Sequence, residues 1–243
     1  MKLPKAWSNI LVDQYIELRE LETTPSLSFI DKDLEILSIV TDTDIEEFEE
    51  LELHEVTTLL SQLLWIKKEP PRNIVKEIDK YHYIGLEDLT LAEYIDLNHF
   101  FSTNFVTNLP TICGLLFRQK SVNDWGLEVV EPYEYDPQTR EHLFLELPIT
   151  SVYGVIGEFL DFKKNFEETY KNLFDKDMSD EPTEGLTKEE IDDIKEEERL
   201  NKWSWERMVY TLCDGNISDM NKVLDLKLTF VFNMLSMKKD LSL

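Results

Sequence analysis

The chain has 243 residues, and its 42% apolar and 11% aromatic content can fill a core without disulfides or metal ions. Its 50 acidic residues against 25 Lys and Arg give a formal charge of −25, which argues against binding to nucleic acid or an anionic membrane. The charge is typical either of a highly soluble protein or of one that binds a basic partner, and composition does not separate the two.

The cysteines and the hydrophobic runs indicate where the protein works. Cys113 and Cys213 each lie in an apolar, helix-like context, which is typical of free core cysteines in a reducing compartment. Residues 1–8 lack the apolar run of a secretory signal, and residues 143–160 are interrupted by two glutamates and a proline, so no membrane span is predicted. We expect the protein in the cytosol or in an assembly built there.

Apolar residues at helical spacing predict several helices in the first third of the chain. The first covers residues 10–21 with Ser8 as its N-cap, and a second starts behind Asp31. Residues 42–55 contain no Lys or Arg, and an apolar residue at every third position predicts a short acidic helix with one buried edge. Another helix over residues 54–66 ends before two consecutive prolines.

The pattern then changes to short strands. Residues 73–85 predict a hairpin that turns at Asp79 and Lys80. Because an isolated hairpin is marginal in water, we expect it to pack on helices or to extend another sheet. Thr90 and Glu93 then form a capping box that opens the next helix.

The middle of the chain is predicted to be helical with one loop. A companion helix covers residues 106–117, and a polar, aromatic loop covers residues 121–135. Asp136 and Pro137 suit the cap and first position of another helix. After a break at Pro148, aromatic spacing predicts a long helix of about four to seven turns.

The last part of the chain begins with a change in composition. Residues 177–199 are strongly acidic and predict a solvated linker with one polar helix capped by Thr187. Residues 203–213 predict a helix that Gly215 ends in the left-handed conformation. One final helix is predicted over residues 218–239.

These elements predict a mainly α fold with one small β-hairpin, built as a helical bundle with a C-terminal helical appendage. The predicted division is a helical domain over residues 1–176 that includes the hairpin near 73–85, an acidic linker over 177–200, and a helical pair over 201–243.

No catalytic, cofactor-binding or metal-binding residues are predicted. The glycines form no phosphate-binding loop, and Gly154 and Gly157 fit close packing of a helix. The histidines lack metal-ligand spacing, and the grouping of Glu141, His142 and Glu146 is expected by chance in so acidic a chain. We therefore expect a protein that is not an enzyme, with a hydrolase that uses two converging carboxylates as one alternative.

The final helix is predicted to bind protein, because its apolar residues cover most of its circumference. Such a helix either docks on its own domain or reaches a groove of a partner, and the sequence favours neither. The predicted partner-binding residues lie here and at the preceding helix: Trp203, Trp205, Leu228, Phe230, Val231, Phe232, Met234 and Leu235.

The order of several short motifs resembles virion-associated or assembly proteins of tailed bacteriophages, especially the crAss-like phages of Bacteroidetes. The motifs are the Pro70-Pro71 stop, the Tyr-rich hairpin, the run Leu89-Thr90-Leu91-Ala92-Glu93-Tyr94-Ile95-Asp96-Leu97 and Glu146-Leu147-Pro148. The end of the chain, Trp203-Ser204-Trp205-Glu206 followed by Cys213-Asp214-Gly215-Asn216-Ile217, is similar to tail-assembly chaperones and related phage structural proteins.

The resemblance implies a non-enzymatic role in building the particle, as a tail, neck or capsid component or as a chaperone for a tail protein. It implies other phage structural proteins as partners and a location in the virion or the host cytoplasm. Separately, we expect that the chain can form a homo-oligomer. A different alternative is an acidic mimic of nucleic acid that binds a host DNA-binding protein, although its acids form two blocks instead of a regular stripe.

Overall fold

The computed structural model describes residues 2–25, 27–133, 140–174 and 204–241. The chain divides into two compact units. Unit 1 consists of Met1–Leu86 and His99–Asp161, and unit 2 consists of Glu87–Asn98 and Phe162–Leu243. The described elements are mostly helices with one small antiparallel sheet, which confirms the predicted fold class.

Unit 1 begins with four helices. They are α1 (Val12–Thr23), α2 (Phe29–Thr41), α3 (Glu46–Glu49) and α4 (Leu53–Gln62), with 3-10 turns at Trp7–Asn9 and Leu64–Lys67. Tyr15 of α1 forms an aromatic cluster with both turns, in which the Trp7 ring lies 5.8 Å from Tyr15 and 5.2 Å from Trp65. Trp7 and Tyr15 are both buried, so this cluster is part of the core of unit 1.

The predicted caps of the first two helices are wrong. Ser8 lies inside the first 3-10 turn, and α1 starts where the Leu11 N–H donates to the Gln14 side chain at 3.0 Å. At α2 the cap is Ser28, whose hydroxyl and N–H exchange hydrogen bonds with the N–H and carboxylate of Asp31. Asp31 therefore supplies the second half of a capping box instead of the cap itself.

The acidic run over residues 42–55 forms less helix than predicted. Only α3, four residues long, and the start of α4 are helical within it. Phe48 is buried, as the predicted edge requires, while all eight acidic side chains of the run are exposed to solvent. Repulsion between neighbouring carboxylates offers a physical reason for the short helix.

Four strands form one sheet in the order β1-β2-β3-β4, all antiparallel. Their bounds are β1 (Glu77–Ile78), β2 (Tyr81–Tyr83), β3 (Phe117–Val122) and β4 (Glu128–Val130). The predicted hairpin is confirmed as β1 and β2, and it extends a sheet through the pairing of β2 with β3.

The loop predicted over residues 121–135 is instead a second hairpin up to Val130. The Asn123 side chain accepts hydrogen bonds from the N–H groups of Trp125 and Leu127, and Gly126 takes a positive φ of 77°. This turn reverses the chain so that Val122 pairs with Glu128. The prediction of a loop was wrong because it followed the polar composition of the segment, although Asn and Gly are residues that commonly form hairpin turns.

The middle helices are α5 (Leu91–Asn104), α6 (Leu109–Leu116), α7 (Glu141–Leu145), α8 (Gly154–Thr169) and α9 (Lys171–Phe174), with a 3-10 turn at Ile149–Ser151. The capping box of α5 is confirmed, since the Thr90 N–H donates to Glu93 at 2.6 Å and the Glu93 N–H donates to the Thr90 hydroxyl at 3.3 Å. The helix start predicted at Asp136 lies outside the described residues.

The two glycines of α8 permit the close approach that their spacing predicts. A Cβ on Gly154 would lie 2.6 Å from the Asn73 carbonyl oxygen, and a Cβ on Gly157 would lie 2.9 Å from the Arg72 side chain. Helix α8 therefore packs closely at these glycines against the extended segment that follows Pro70 and Pro71, and not against another helix.

Unit 2 ends in α10 (Ser204–Leu212), a 3-10 turn at Ile217–Asp219, α11 (Met220–Leu224) and α12 (Leu228–Asp240). Gly215 ends α10 with a φ of 79°, as predicted. The acidic linker and its polar helix lie outside the described residues. None of the helices in the described ranges is both long and apolar enough to cross a membrane.

The single helix predicted over residues 218–239 is wrong, because the chain breaks between α11 and α12. The Leu91 N–H donates to the Leu226 carbonyl at 2.9 Å, and the Leu228 N–H donates to the Leu89 carbonyl at 2.8 Å. These bonds hold residues 226–228 extended beside the start of α5, so the backbone there cannot continue the helix.

Candidate protein-binding surface

Helix α12 has one apolar face that packs into the core of unit 2. Leu228, Val231 and Phe232 are buried on this face. The Phe232 ring lies 4.7 Å from the ring of Phe166 on α8 and 5.3 Å from Tyr170. This side of the helix is a core face.

Polar contacts fix the rotation of α12 about its axis. The Tyr170 hydroxyl donates to the Asn233 side chain at 3.0 Å and also lies 3.3 Å from the Thr229 carbonyl oxygen. The Lys239 ammonium donates to the carbonyl oxygen of Asn172. Burial raises the pKa of the Tyr170 phenol, so the hydroxyl stays a neutral donor at physiological pH.

Four apolar side chains lie on the other side of α12 and at its end. Phe230, Met234, Met237 and Leu241 are 52%, 42%, 44% and 60% exposed. Their spacing of four, three and four residues keeps them within one narrow strip of a helix surface. We call these four residues the α12 stripe.

The α12 stripe is bordered by polar side chains. Thr229, Asn233 and Lys238 are exposed and flank it, while Leu235 is half-buried at the edge of the core face. An apolar strip with polar borders, on the side of a helix that its own core does not use, is the usual geometry of a helix that packs against another helix.

Apart from the half-buried Leu235, the predicted partner-binding residues of α12 thus separate into two groups. Leu228, Val231 and Phe232 pack within unit 2 and do not form an exposed surface, because the core face of α12 needs them. Phe230 and Met234 belong to the α12 stripe.

Met237 and Leu241 also belong to the stripe, but they are absent from the predicted set. The signal that finds them is the alternating spacing of three and four residues that starts at Phe230. Leu241 also lies beyond the predicted end of the helix at residue 239.

Of the two predicted tryptophans, Trp203 lies outside the described residues. The Trp205 ring packs edge-on against Tyr94 at 5.7 Å and is half-buried. Burial raises the pKa of the Tyr94 phenol, with a contribution from the Glu167 carboxylate. Trp205 also lines a groove of about 250 Å³ in unit 2, together with Ile95, Val209, Met220 and Leu224.

A second groove, of about 450 Å³, lies in unit 1 and is lined by Ile36, Leu60, Leu63 and Leu64. Glu22, Asp33 and Lys67 also line it.

The described residues contain no group of three His, Cys, Asp or Glu side chains that could hold a metal ion. Glu141, part of the grouping noted above, accepts a 2.6 Å hydrogen bond from the hydroxyl of the buried Thr111.

Comparison with known proteins identifies no relative: no family model matches the chain, and no curated protein or solved structure is similar to it. The α12 stripe presents aromatic, thioether and aliphatic groups, whose contribution to binding is the removal of apolar surface from water.

Proposed function

We propose that this protein is a non-enzymatic structural or assembly component of a tailed bacteriophage, and that it binds another protein through the α12 stripe. The observation that carries the proposal is the second apolar face of α12, opposite the face that packs in unit 2. Exposed apolar residues in a regular pattern mark a contact surface more often than scattered ones do.

The spacing of the stripe favours a helical partner. Apolar residues that alternate by three and four positions form the seam of two helices that cross at a shallow angle. Met234 and Met237 lie at its centre, and methionine side chains adapt to partners of varied shape. The partner is expected to present a matching apolar strip with polar borders.

The phage setting rests on the resemblance of the short motifs described above. The formal charge of −25 fits that role, because an acidic exterior keeps a protein soluble while one apolar strip is exposed. It suits either a chaperone that covers an aggregation-prone tail protein or a component that stays in the particle.

Affinity capture from infected host cells tests the proposal. The wild type, Met234→Glu and the matched control Thr229→Glu each carry the same tag, and captured proteins are identified by mass spectrometry. Both substitutions add one negative charge to an exposed position of α12, but only Met234 lies in the stripe. The wild type and the control should capture a phage tail, neck or capsid protein, and Met234→Glu should recover about tenfold less, equivalent to about 1.4 kcal/mol.

Equal recovery by Met234→Glu would remove the stripe from the proposal. Capture of host DNA-binding proteins alone, with binding that weakens steeply as salt is added, would favour the nucleic-acid mimic instead. Mass spectrometry of purified particles separates the two phage roles, because a virion component remains in the particle and a chaperone does not.

A further inference from the structure

The hairpin of β3 and β4 extends beyond the rest of the sheet in unit 1. Strand β2 pairs with β3 only as far as Gln119, and the remainder of β3 pairs with β4 alone. This part of the hairpin exposes Val122, Leu127, Val129, Val130 and Trp125, which is 85% exposed at the turn. A two-stranded hairpin is marginal in water, so apolar groups displayed in this way gain most from a further contact.

The hydrogen bonds of the hairpin define which backbone groups face outward. The Glu131 N–H donates to the Gln119 carbonyl at 3.0 Å, and the Asn123 N–H donates to the Leu127 carbonyl at 2.9 Å. Because bonding alternates along an antiparallel strand, the backbone groups of Glu128 and Val130 point away from β3. Among the described residues, no strand pairs with that outer edge of β4.

The two edges of the sheet differ in how they are protected. At one edge, β1 has only two residues, and lysines at 76 and 80 flank it, which are common devices against edge-to-edge pairing. At the other edge, β4 has three residues and Pro132 follows two positions later, but the strand itself carries two exposed valines beside Glu128 and no lysine or proline. The outer edge of β4 therefore has the features of a strand that pairs.

We propose that β4 pairs antiparallel with β4 of a second copy of this chain, about a two-fold axis at Val129. In this register Glu128 lies opposite Val130 of the second copy, and the outward N–H and carbonyl groups of both residues form four backbone hydrogen bonds across the axis. The two Val129 side chains then contact each other on one face of a continuous sheet.

The neighbouring symmetric registers are less favourable. With the axis at Glu128, two carboxylates lie directly opposite each other and repel. With the axis at Val130, Glu128 faces Pro132, which has no N–H to donate. The sequence of β4 therefore selects Val129 as the centre of a pairing with itself.

Charge also permits a second copy at this edge. Residues 117–131 contain two basic and three acidic residues, so their net charge is only −1 of the total −25. The Lys120 ammonium lies 3.8 Å from the Glu128 carboxylate and offsets part of its charge. Two copies of an acidic chain can thus approach at β4 with little repulsion.

Disulfide trapping tests the register. At the two-fold axis the Cα atoms of the two Val129 residues should be about 4.5 Å apart, within reach of a disulfide. Leu127 lies on the same face, yet its two copies should be roughly 14 Å apart, because each faces residue 131 of the other chain. Val129→Cys should therefore form a covalent dimer on mild oxidation, and Leu127→Cys should form about tenfold less.

Sedimentation of the full chain provides the second measurement. The wild type should sediment as a dimer and Val130→Pro as a monomer, because proline removes an outward donor that the hairpin itself does not use. Val130→Thr keeps the N–H and should remain a dimer. Met234→Glu should leave trapping at residue 129 unchanged, which separates this pairing from the α12 stripe.

Several results would overturn the pairing. They are a wild type that stays monomeric at all concentrations, equal trapping at residues 127 and 129, or no trapping at either. Capture of an extended segment of another protein by the β4 edge of a monomeric chain would equally contradict it. Buried Cys113 and Cys213 make the wild type a suitable blank for the oxidation.

Discussion

Two glycines that lie in helices of this protein, Gly154 and Gly114, have different surroundings. Gly154 lies against the backbone of Asn73 and donates its N–H to that residue's carbonyl at 2.9 Å. Gly114, inside α6, has room for a methyl group, since a Cβ there would meet only Arg140 Cβ at 3.6 Å. The two helical glycines therefore differ in what a side chain would do.

We predict opposite results for alanine at these positions. Gly154→Ala should destabilise the protein by about 1–3 kcal/mol, because the new methyl group overlaps the Asn73 carbonyl. Gly114→Ala should be neutral or stabilise by up to about 1 kcal/mol, because alanine favours a helix. Urea unfolding of both variants measures the difference, and equal destabilisation would show that Asn73 moves aside.

At this scale the sequence is informative where one short motif determines the geometry. The capping box of Thr90 and Glu93 and the turn at Gly215 are both confirmed. Ser8 and Ser28 show the limit, because each can cap a helix, yet Ser8 lies in a separate 3-10 turn beside the buried Trp7 and only Ser28 is a cap. A local motif identifies candidates, and tertiary packing selects among them.

At the scale of elements, α12 combines a core face and an exposed stripe in one helix. The sequence shows that apolar residues surround this helix, but the division between the faces depends on where Phe166 and Tyr170 lie. The break before Leu228 is equally non-local, since the carbonyl of Leu89 holds its N–H. Only the spacing within the stripe could have been read from the sequence.

Adjacent aromatic residues of α12 should respond differently to truncation. Phe232→Ala should cost about 3–5 kcal/mol, because it leaves a cavity beside Phe166. Phe230→Ser should change stability by less than about 1 kcal/mol, because its side chain is half exposed. Thermal melts followed by circular dichroism compare the two, and a large loss for Phe230→Ser would place it in the core.

The hairpin of β3 and β4 illustrates the opposite failure. Asn123 and Gly126 supply ordinary turn chemistry, and Val129 and Val130 favour a strand. The surrounding polar residues nevertheless predict a loop, because an exposed strand lacks the apolar alternation of a half-buried one. Both faces of this hairpin are exposed, which makes it a candidate for contact with another chain. The same exposure means that its sequence lacks the alternating pattern by which a strand is predicted.

At the scale of the whole molecule, the excess of 25 negative charges opposes compaction. Added salt shortens the range of that repulsion from roughly 30 Å at 0.01 M to about 8 Å at 0.15 M. We predict that the melting temperature rises by several degrees over this range, where about 2–4 °C corresponds to 1 kcal/mol for a chain of this size. Sodium chloride and potassium chloride should act equally, and a fall in melting temperature would contradict the prediction.

The backbone bonds that hold residues 226–228 beside the start of α5 also constrain how the protein is made. Lys227 and Asp88, an ion pair in this contact, lie 139 positions apart in the chain. Until residues 226–228 have been translated, the Leu91 N–H and the Leu89 carbonyl lack these backbone partners, whereas Tyr94 of α5 can already pack on Phe162 and Phe166. Unit 2 therefore completes its fold only after α12 has been translated.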